Sequence, residues 1–309
     1  MDEFTTRKTR GNTKVFIIGA QKCGTTSLAN SLASSGLVEL CTPKEPMIFS
    51  KGDFEVHRGQ FTSNLSNFFL SEAEKNKMFC QKYSSDLPWL DASTSYLMSE
   101  SALNSIYSFY PDAKIIILIR DPVRRAVSSY WHYVSSGIMD CSFSRGMEFG
   151  SVHMVNIGFY KKWIQMWTGK FGRDNIFVVS DYHMYKKFPI LMDNLSEFLN
   201  IEFPKGLELR RDNVTKYPVF LRSQWVLNYL RKFTKTSFVH TDREAGLLKK
   251  YGILGLVLHA VSKVNLSRKK EYSLPQADLL KLEKLYRIEN EGLDSLISFG
   301  DTSHWYVKK

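Results

Sequence analysis

A chain of 309 residues, 43% of them hydrophobic, can bury one sizeable α/β core, and its longest apolar runs, Ile115 to Ile119 and Ile253 to Leu258, fall far short of the ~20 residues a membrane-spanning helix needs. The net charge of +11 favours an anionic partner, but basic pairs such as Lys161-Lys162, Lys186-Lys187 and Lys249-Lys250 are dispersed and carry no nucleic-acid-binding motif, so no nucleic-acid partner is expected. The four cysteines, Cys23, Cys41, Cys80 and Cys141, lack the spacing of a zinc site or a disulfide framework.

Residues 1–13 are polar and charged and read as a flexible N-terminal segment, followed by a single domain over 14–309. No signal peptide or anchor is visible, and the fold begins almost directly after Met1, so the expectation is a soluble, cytoplasmic protein. Val15 to Ile18 form a short apolar run ending in Gly19. A tight loop with Gln21, Lys22, Cys23 and Gly24 follows, and Thr25, Thr26 and Ser27 open a helical pattern with Leu28 and Leu32 on one face. A strand, a glycine loop and a helix start make an anion cradle, because backbone N–H groups and the positive helix end converge on it. The nucleotide-triphosphate loop G-x-x-x-x-G-K-[ST] places its lysine directly after the second glycine; here Thr25 holds that position and Lys22 lies inside the loop. Cys23 sits where a helix N-terminus and Lys22 could lower its thiol pKa; the plainer reading is a small loop-filling residue.

Further along, Cys41-Thr-Pro-Lys is turn-prone, and Glu45, preceding Pro46, is expected on an extended segment near the cleft. Residues 50–77, including His57, read as loops and short helices over the site. Ile115 to Ile119 read as a strand buried on both faces, with Asp121 as N-cap and Pro122 as the first residue of the next helix. Arg120 then leaves the carboxyl end of a central strand, where open parallel sheets bind ligands, and Ser128 lies on the following helix. Arg120 could instead pair with Asp121 or a surface carboxylate. His132 shares a helix face with Ser128, while His153, His183, His240, His259 and His304 show no partner pattern. Residues 262–271 read as a polar, basic surface loop, and no metal-ligand cluster is visible. The expected fold class is α/β: one P-loop-like domain with a central parallel β-sheet flanked by helices.

With these residues, the chain resembles the sulfotransferases that use 3′-phosphoadenosine 5′-phosphosulfate (PAPS). Gly19-Ala-Gln-Lys-Cys-Gly-Thr-Thr-Ser-Leu28 resembles their 5′-phosphosulfate loop, and Arg120-Asp-Pro-Val-Arg-Arg-Ala-Val-Ser128 their 3′-phosphate site. Lys44-Glu-Pro-Met-Ile-Phe49 and Asp91-Ala-Ser-Thr-Ser-Tyr-Leu97 are similar to segments of the branch that includes heparan sulfate sulfotransferases. Gly158-Phe-Tyr-Lys-Lys-Trp-Ile, Leu195-Ser-Glu-Phe-Leu-Asn200 and the end from Leu279 to Trp305 follow in the same order. Met47 stands where the branch often has histidine, and Ala92 where glycosaminoglycan members often have lysine; both count against a glycosaminoglycan acceptor.

The resemblance implies PAPS as donor and adenosine 3′,5′-bisphosphate (PAP) as product, with Gln21 to Ser27, Arg120 and Ser128 holding the donor. It implies no metal. Lys22 would offset charge on the leaving oxygen, and Glu45, matched to the family's catalytic glutamate, would be the general base. An ion pair of Glu45 with Lys44 is the rival reading. Met47, His57 and His132 are the acceptor-side candidates. The acceptor would be a hydroxyl, or an amine, of a saccharide or small hydroxylated metabolite; the oligomeric state is open. A P-loop kinase would need the lysine after Gly24 and an acidic magnesium site, and a non-catalytic basic binding protein would leave two ordered anion sites without a purpose.

Overall fold

The computed structural model describes residues 13–42, 44–50, 87–135, 139–149, 154–209, 217–218, 265–267 and 273–306. The expectations for residues 1–12, 51–77 with His57, Cys80, His153, His240, His259 and most of 262–271 lie outside these residues.

The first apolar run is the body of strand β1 (Lys14–Gly19), with Val15 to Ile18 fully buried. Helix α1 (Thr25–Ser34) returns along the sheet and buries Leu28 and Leu32 together, as their spacing predicts. Strands β2 (Glu39–Leu40) and β3 (Trp89–Asp91) are short. Helix α2 (Glu100–Phe109) is N-capped by Ser99, whose Oγ accepts from the Ala102 N–H at 2.9 Å. Strand β4 (Lys114–Ile119) carries the second run, with Ile115 to Ile119 fully buried.

These strands and β5 (Ile176–Ser180) form one five-stranded sheet in the order β2-β3-β1-β4-β5, and every pairing in it is parallel. Continuous apolar runs on β1 and β4 are what a sheet covered on both faces requires. Helices α3 (Pro122–Ser135), α4 (Phe143–Phe149), α5 (Tyr160–Phe171), α6 (Asp181–Lys186), α7 (Phe188–Leu199) and α8 (Gln276–Glu289) complete the α-helices among the described residues. A second apolar cluster joins α3 to α8 through Tyr130, Trp131, Val134, Leu282 and Tyr286.

Because the strands are parallel, all their carboxyl ends lie on one edge. The loop with Lys22 follows β1, the Glu45 segment follows β2, Ser93 and Tyr96 follow β3, Arg120 follows β4, and Asp181 follows β5. That common edge is the ligand-binding edge of open α/β sheets. No described helix is long and apolar enough to cross a membrane.

Candidate functional site

The first loop is held by its own backbone. Ala20 N–H donates to the Leu118 carbonyl of β4 at 2.7 Å, and Cys23 N–H donates to the Ala20 carbonyl at 3.2 Å. Lys22 (φ 72°) and Gly24 (φ 87°) both take the left-handed conformation that turns the chain into α1. At Gly24 a Cβ would also come within 2.8 Å of the Met184 methyl, so both conformation and space favour glycine. Gly24 caps α1 without a side chain, and no acidic residue lies in its first turn, so the positive helix end is not offset locally. Thr25 and Ser27 are buried, Ser27 Oγ accepting from the Tyr185 hydroxyl at 3.4 Å. Gln21 Oε1 accepts from the Tyr133 hydroxyl at 3.1 Å.

Cys23 is fully buried, with its Sγ 3.7 Å from the Tyr160 hydroxyl. Burial, and next the charge of Asp181, push its thiol up to about 12. Desolvation outweighs Arg125 and Arg120, so the activated-thiol reading of Cys23 fails and the loop-filling reading holds.

Lys22 behaves in the opposite sense. Burial, reinforced by the Arg120 charge, lowers its ammonium to about 8, while Glu45 pulls it back up. Arg120 Nη1 donates to the Lys22 carbonyl oxygen at 3.4 Å. Two cations and a helix N-terminus thus converge, an arrangement that an anion relieves. Arg120 does not pair with Asp121. Asp121 caps α3, its Oδ1 accepting from the N–H groups of Val123 at 2.9 Å and Arg124 at 3.1 Å. The carboxylate facing Arg120 is Asp181, at the start of α6, 3.5 Å from its Nε. Burial raises Asp181 to about 6, against the opposing pull of Arg120. Ser128 lies on α3, almost fully buried.

The Glu45 segment is not extended. Glu45 (φ 59°) and Met47 (φ 53°) are left-handed, against the usual restriction on a residue before proline. A polar network fixes this shape. Asp91, fully buried at the end of β3, accepts from Ser93 Oγ at 2.6 Å and from the Tyr96 hydroxyl at 3.0 Å. Those hydroxyls in turn accept from the Met47 N–H at 3.1 Å and the Phe49 N–H at 3.3 Å. Burial raises Asp91 to about 7, partly countered by these two hydroxyls. Glu45 itself pairs with Lys44 at 2.9 Å and accepts from Thr94 Oγ1 at 3.3 Å.

The fold therefore gathers Gln21, Lys22, Arg120 and Glu45 on one edge, with Lys22 feeling the charges of both Arg120 and Glu45. Met47 is fully buried, between the Glu45 turn and Phe49. His132 is half-buried, with its ring 5.8 Å from that of Tyr133, and it is Tyr133 that reaches the loop. Sequence reasoning missed Tyr133, Tyr185 and Asp181 as neighbours of the loop, for they carry no local motif. Ser93 and Tyr96 did stand in a quoted segment, but only the fold reveals that they brace the Glu45 segment.

A profile for the sulfotransferase domain matches residues 12–248. Rat carbohydrate sulfotransferase 15 is 20% identical over 60% of this chain and 43% of its own length. The bifunctional heparan sulfate N-deacetylase/N-sulfotransferase 1 of Caenorhabditis elegans is 25% identical over 62% of this chain and 22% of its own. The chain thus spans less than half the length of these curated relatives. A sulfotransferase from Alicyclobacillus acidocaldarius superposes with a TM-score of 0.54 at 22% identity, over 75% of this chain and 98% of that one. Mouse sulfotransferase SULT7A1 complexed with PAP superposes with a TM-score of 0.51 at 13% identity, over 92% and 86%. These superpositions carry the fold, and the profile carries the family: the chain belongs to the sulfotransferase family.

Proposed function

We propose that this chain transfers a sulfuryl group from PAPS to a hydroxyl or amine of a saccharide or small hydroxylated metabolite. The observation that carries the reading is the convergence of Lys22, Arg120 and the α1 N-terminus on one sheet edge. Its support from relatives is that those just described are named as carbohydrate or heparan sulfate sulfotransferases, and that one structural neighbour is complexed with PAP.

Sulfuryl transfer is an in-line displacement. A bond forms between the acceptor oxygen or nitrogen and sulfur, while the bond from sulfur to the bridging phosphate oxygen breaks. That oxygen keeps the electron pair and leaves with PAP, and the acceptor's proton goes to a base. The residues divide this work. Loop N–H groups and the hydroxyls of Thr25, Thr26 and Ser27 hold the 5′-phosphosulfate. Lys22 stabilises the growing charge on the leaving oxygen, an interaction stronger in the transition state than in the ground state. Arg120 and Ser128 hold the 3′-phosphate and fix register. Glu45 takes the acceptor proton, its segment held by Ser93 and Tyr96.

The test is transfer of label from sulfur-labelled PAPS to a panel of saccharides and small hydroxylated compounds, with PAP release measured in parallel. Label on an acceptor together with stoichiometric PAP supports the reading. Absence of transfer to every acceptor, together with equal affinity for ATP and PAP, rejects it.

A further inference from the structure

The first turn of α6 and the C-terminal segment bring together three side chains that the sulfuryl-transfer chemistry does not use. His183 on α6, with Asp301 and His304 from the C-terminal segment, each offer one ligand atom, all within 4.8 Å of one another. The sequence expectation of no metal-ligand cluster is corrected here: 118 positions separate His183 from Asp301, and no local pattern links them. The C-terminal segment is laid along β5. Ser298 and Phe299 N–H donate to the Val178 carbonyl at 2.9 Å, and Ser180 N–H donates to the Phe299 carbonyl at 3.0 Å.

We propose that His183, Asp301 and His304 form a binding site for a borderline divalent cation of the Zn²⁺ class. Each ligand is already oriented. The Nδ1 of His183 is 3.2 Å from Ser180 Oγ, which aims Nε2 at Asp301 Oδ2, 3.5 Å away. Asp301 Oδ1 is taken by the Ser303 N–H at 2.9 Å and the Ser303 hydroxyl at 2.5 Å, leaving Oδ2 for the site. The His304 ring is stacked on Tyr182 at 4.2 Å, and its buried Nδ1 has no hydrogen-bond partner among the described residues. Such outer partners are what hold metal ligands in place.

The donor set selects the ion. Two imidazoles and one carboxylate suit Zn²⁺ or Co²⁺ and not Mg²⁺, which prefers an all-oxygen shell. Ligands ~2.0–2.2 Å from a tetrahedral zinc lie roughly 3.4 Å apart, close to the separation of His183 Nε2 and Asp301 Oδ2. Three protein ligands leave positions for water. An ion here ties the C-terminal segment to α6, whose first residue, Asp181, faces Arg120.

Co²⁺ serves as the probe, titrated into untagged full-length chain at pH 7.5. The expected result is one equivalent bound, with the intense visible absorption of low-coordinate cobalt, displaced by Zn²⁺ and not by Mg²⁺. Asp301→Asn and His304→Ala should each weaken binding at least ~10-fold. Asp301 is half-exposed, so Asp301→Asn should remain folded even if His304→Ala does not. Melting temperature without metal checks both. Unchanged affinity and spectrum in folded Asp301→Asn, no stoichiometric binding by the wild-type chain, or equal stabilisation by Mg²⁺ and Zn²⁺ would overturn the site.

Discussion

Arg120 donates to the carbonyl oxygen of Lys22 at 3.4 Å, so the loop after β1 and the loop after β4 are joined directly, and in the proposed reading they bind the donor as one unit. A ligand bearing phosphates at both ends of a ribose spans that unit. A ligand with a single phosphate chain engages one end of it. PAP should therefore raise the melting temperature by mass action on the folded state, and ATP at equal concentration much less. Differential scanning fluorimetry with both nucleotides decides, and equal shifts count against Arg120 as the 3′-phosphate ligand.

Lys22 is held at about 8 by burial and by Arg120. A bound polyanion favours the charged ammonium, so binding near and above that pH must take up a proton. PAP affinity should fall as pH rises from 7.5 to 9.5, where the ligand's phosphates are already almost wholly ionised. In Lys22→Ala that dependence should flatten, and turnover at saturating donor should fall ~10²–10³-fold, as for loss of one transition-state donor. The loop position of Lys22 opens no core cavity, so the variant should fold. Calorimetric titration across this range checks the first expectation and steady-state kinetics the second. A parallel pH dependence in Lys22→Ala would assign the titration elsewhere.

The two strand-to-helix joints were legible because local chemistry dictates them. Val15 to Ile18 and Ile115 to Ile119 are continuous apolar runs, and the Asp121-Pro122 pair is a local helix start that the structure reproduces bond for bond. Glu45 was placed by motif, yet its backbone was misread. The proline rule predicts an extended residue, and the left-handed shape comes from hydroxyls 46 and 47 positions away from the N–H groups they accept from. Asp181 and the His183/Asp301/His304 group were invisible for the same reason: parallel pairing of β4 with β5 creates the first contact, and docking of the C-terminal segment on β5 creates the second. Long-range closure leaves no trace in local spacing.

Asp91 should make stability fall with rising pH. Its carboxyl is raised from the ordinary carboxylate value to about 7, chiefly by burial. The folded chain therefore holds this proton over a range where the unfolded chain has lost it. The contribution is full below about 4, the unfolded value, and disappears as pH rises through about 7. In Asp91→Asn the group cannot titrate, so the stability difference between wild type and variant should shrink or reverse between those limits. Urea unfolding at several pH values measures it. A difference independent of pH would mean that Asp91 is ionised throughout and that its two hydroxyl donors dominate over burial.

Glu45 faces two demands, since its carboxylate bonds Lys44 and Thr94 while its charge acts on Lys22. If it takes the acceptor's proton, Glu45→Gln should bind PAP as wild type does and transfer sulfuryl ~10²–10⁴-fold more slowly, the usual cost of a lost general base. The side chains of Lys44 and Glu45 are only 26% and 22% exposed, but Gln keeps the size and hydrogen-bonding capacity of Glu, so the melting temperature should move by only a few degrees. An amine acceptor already neutral at the assay pH would tolerate the change better than a hydroxyl, which makes the ratio of the two rates informative about the acceptor. Single-turnover rates beside melting temperatures separate the roles. A wild-type rate with a lowered melting temperature would leave Glu45 as the ion-pair partner of Lys44 alone and move the search for the base to His132 on α3.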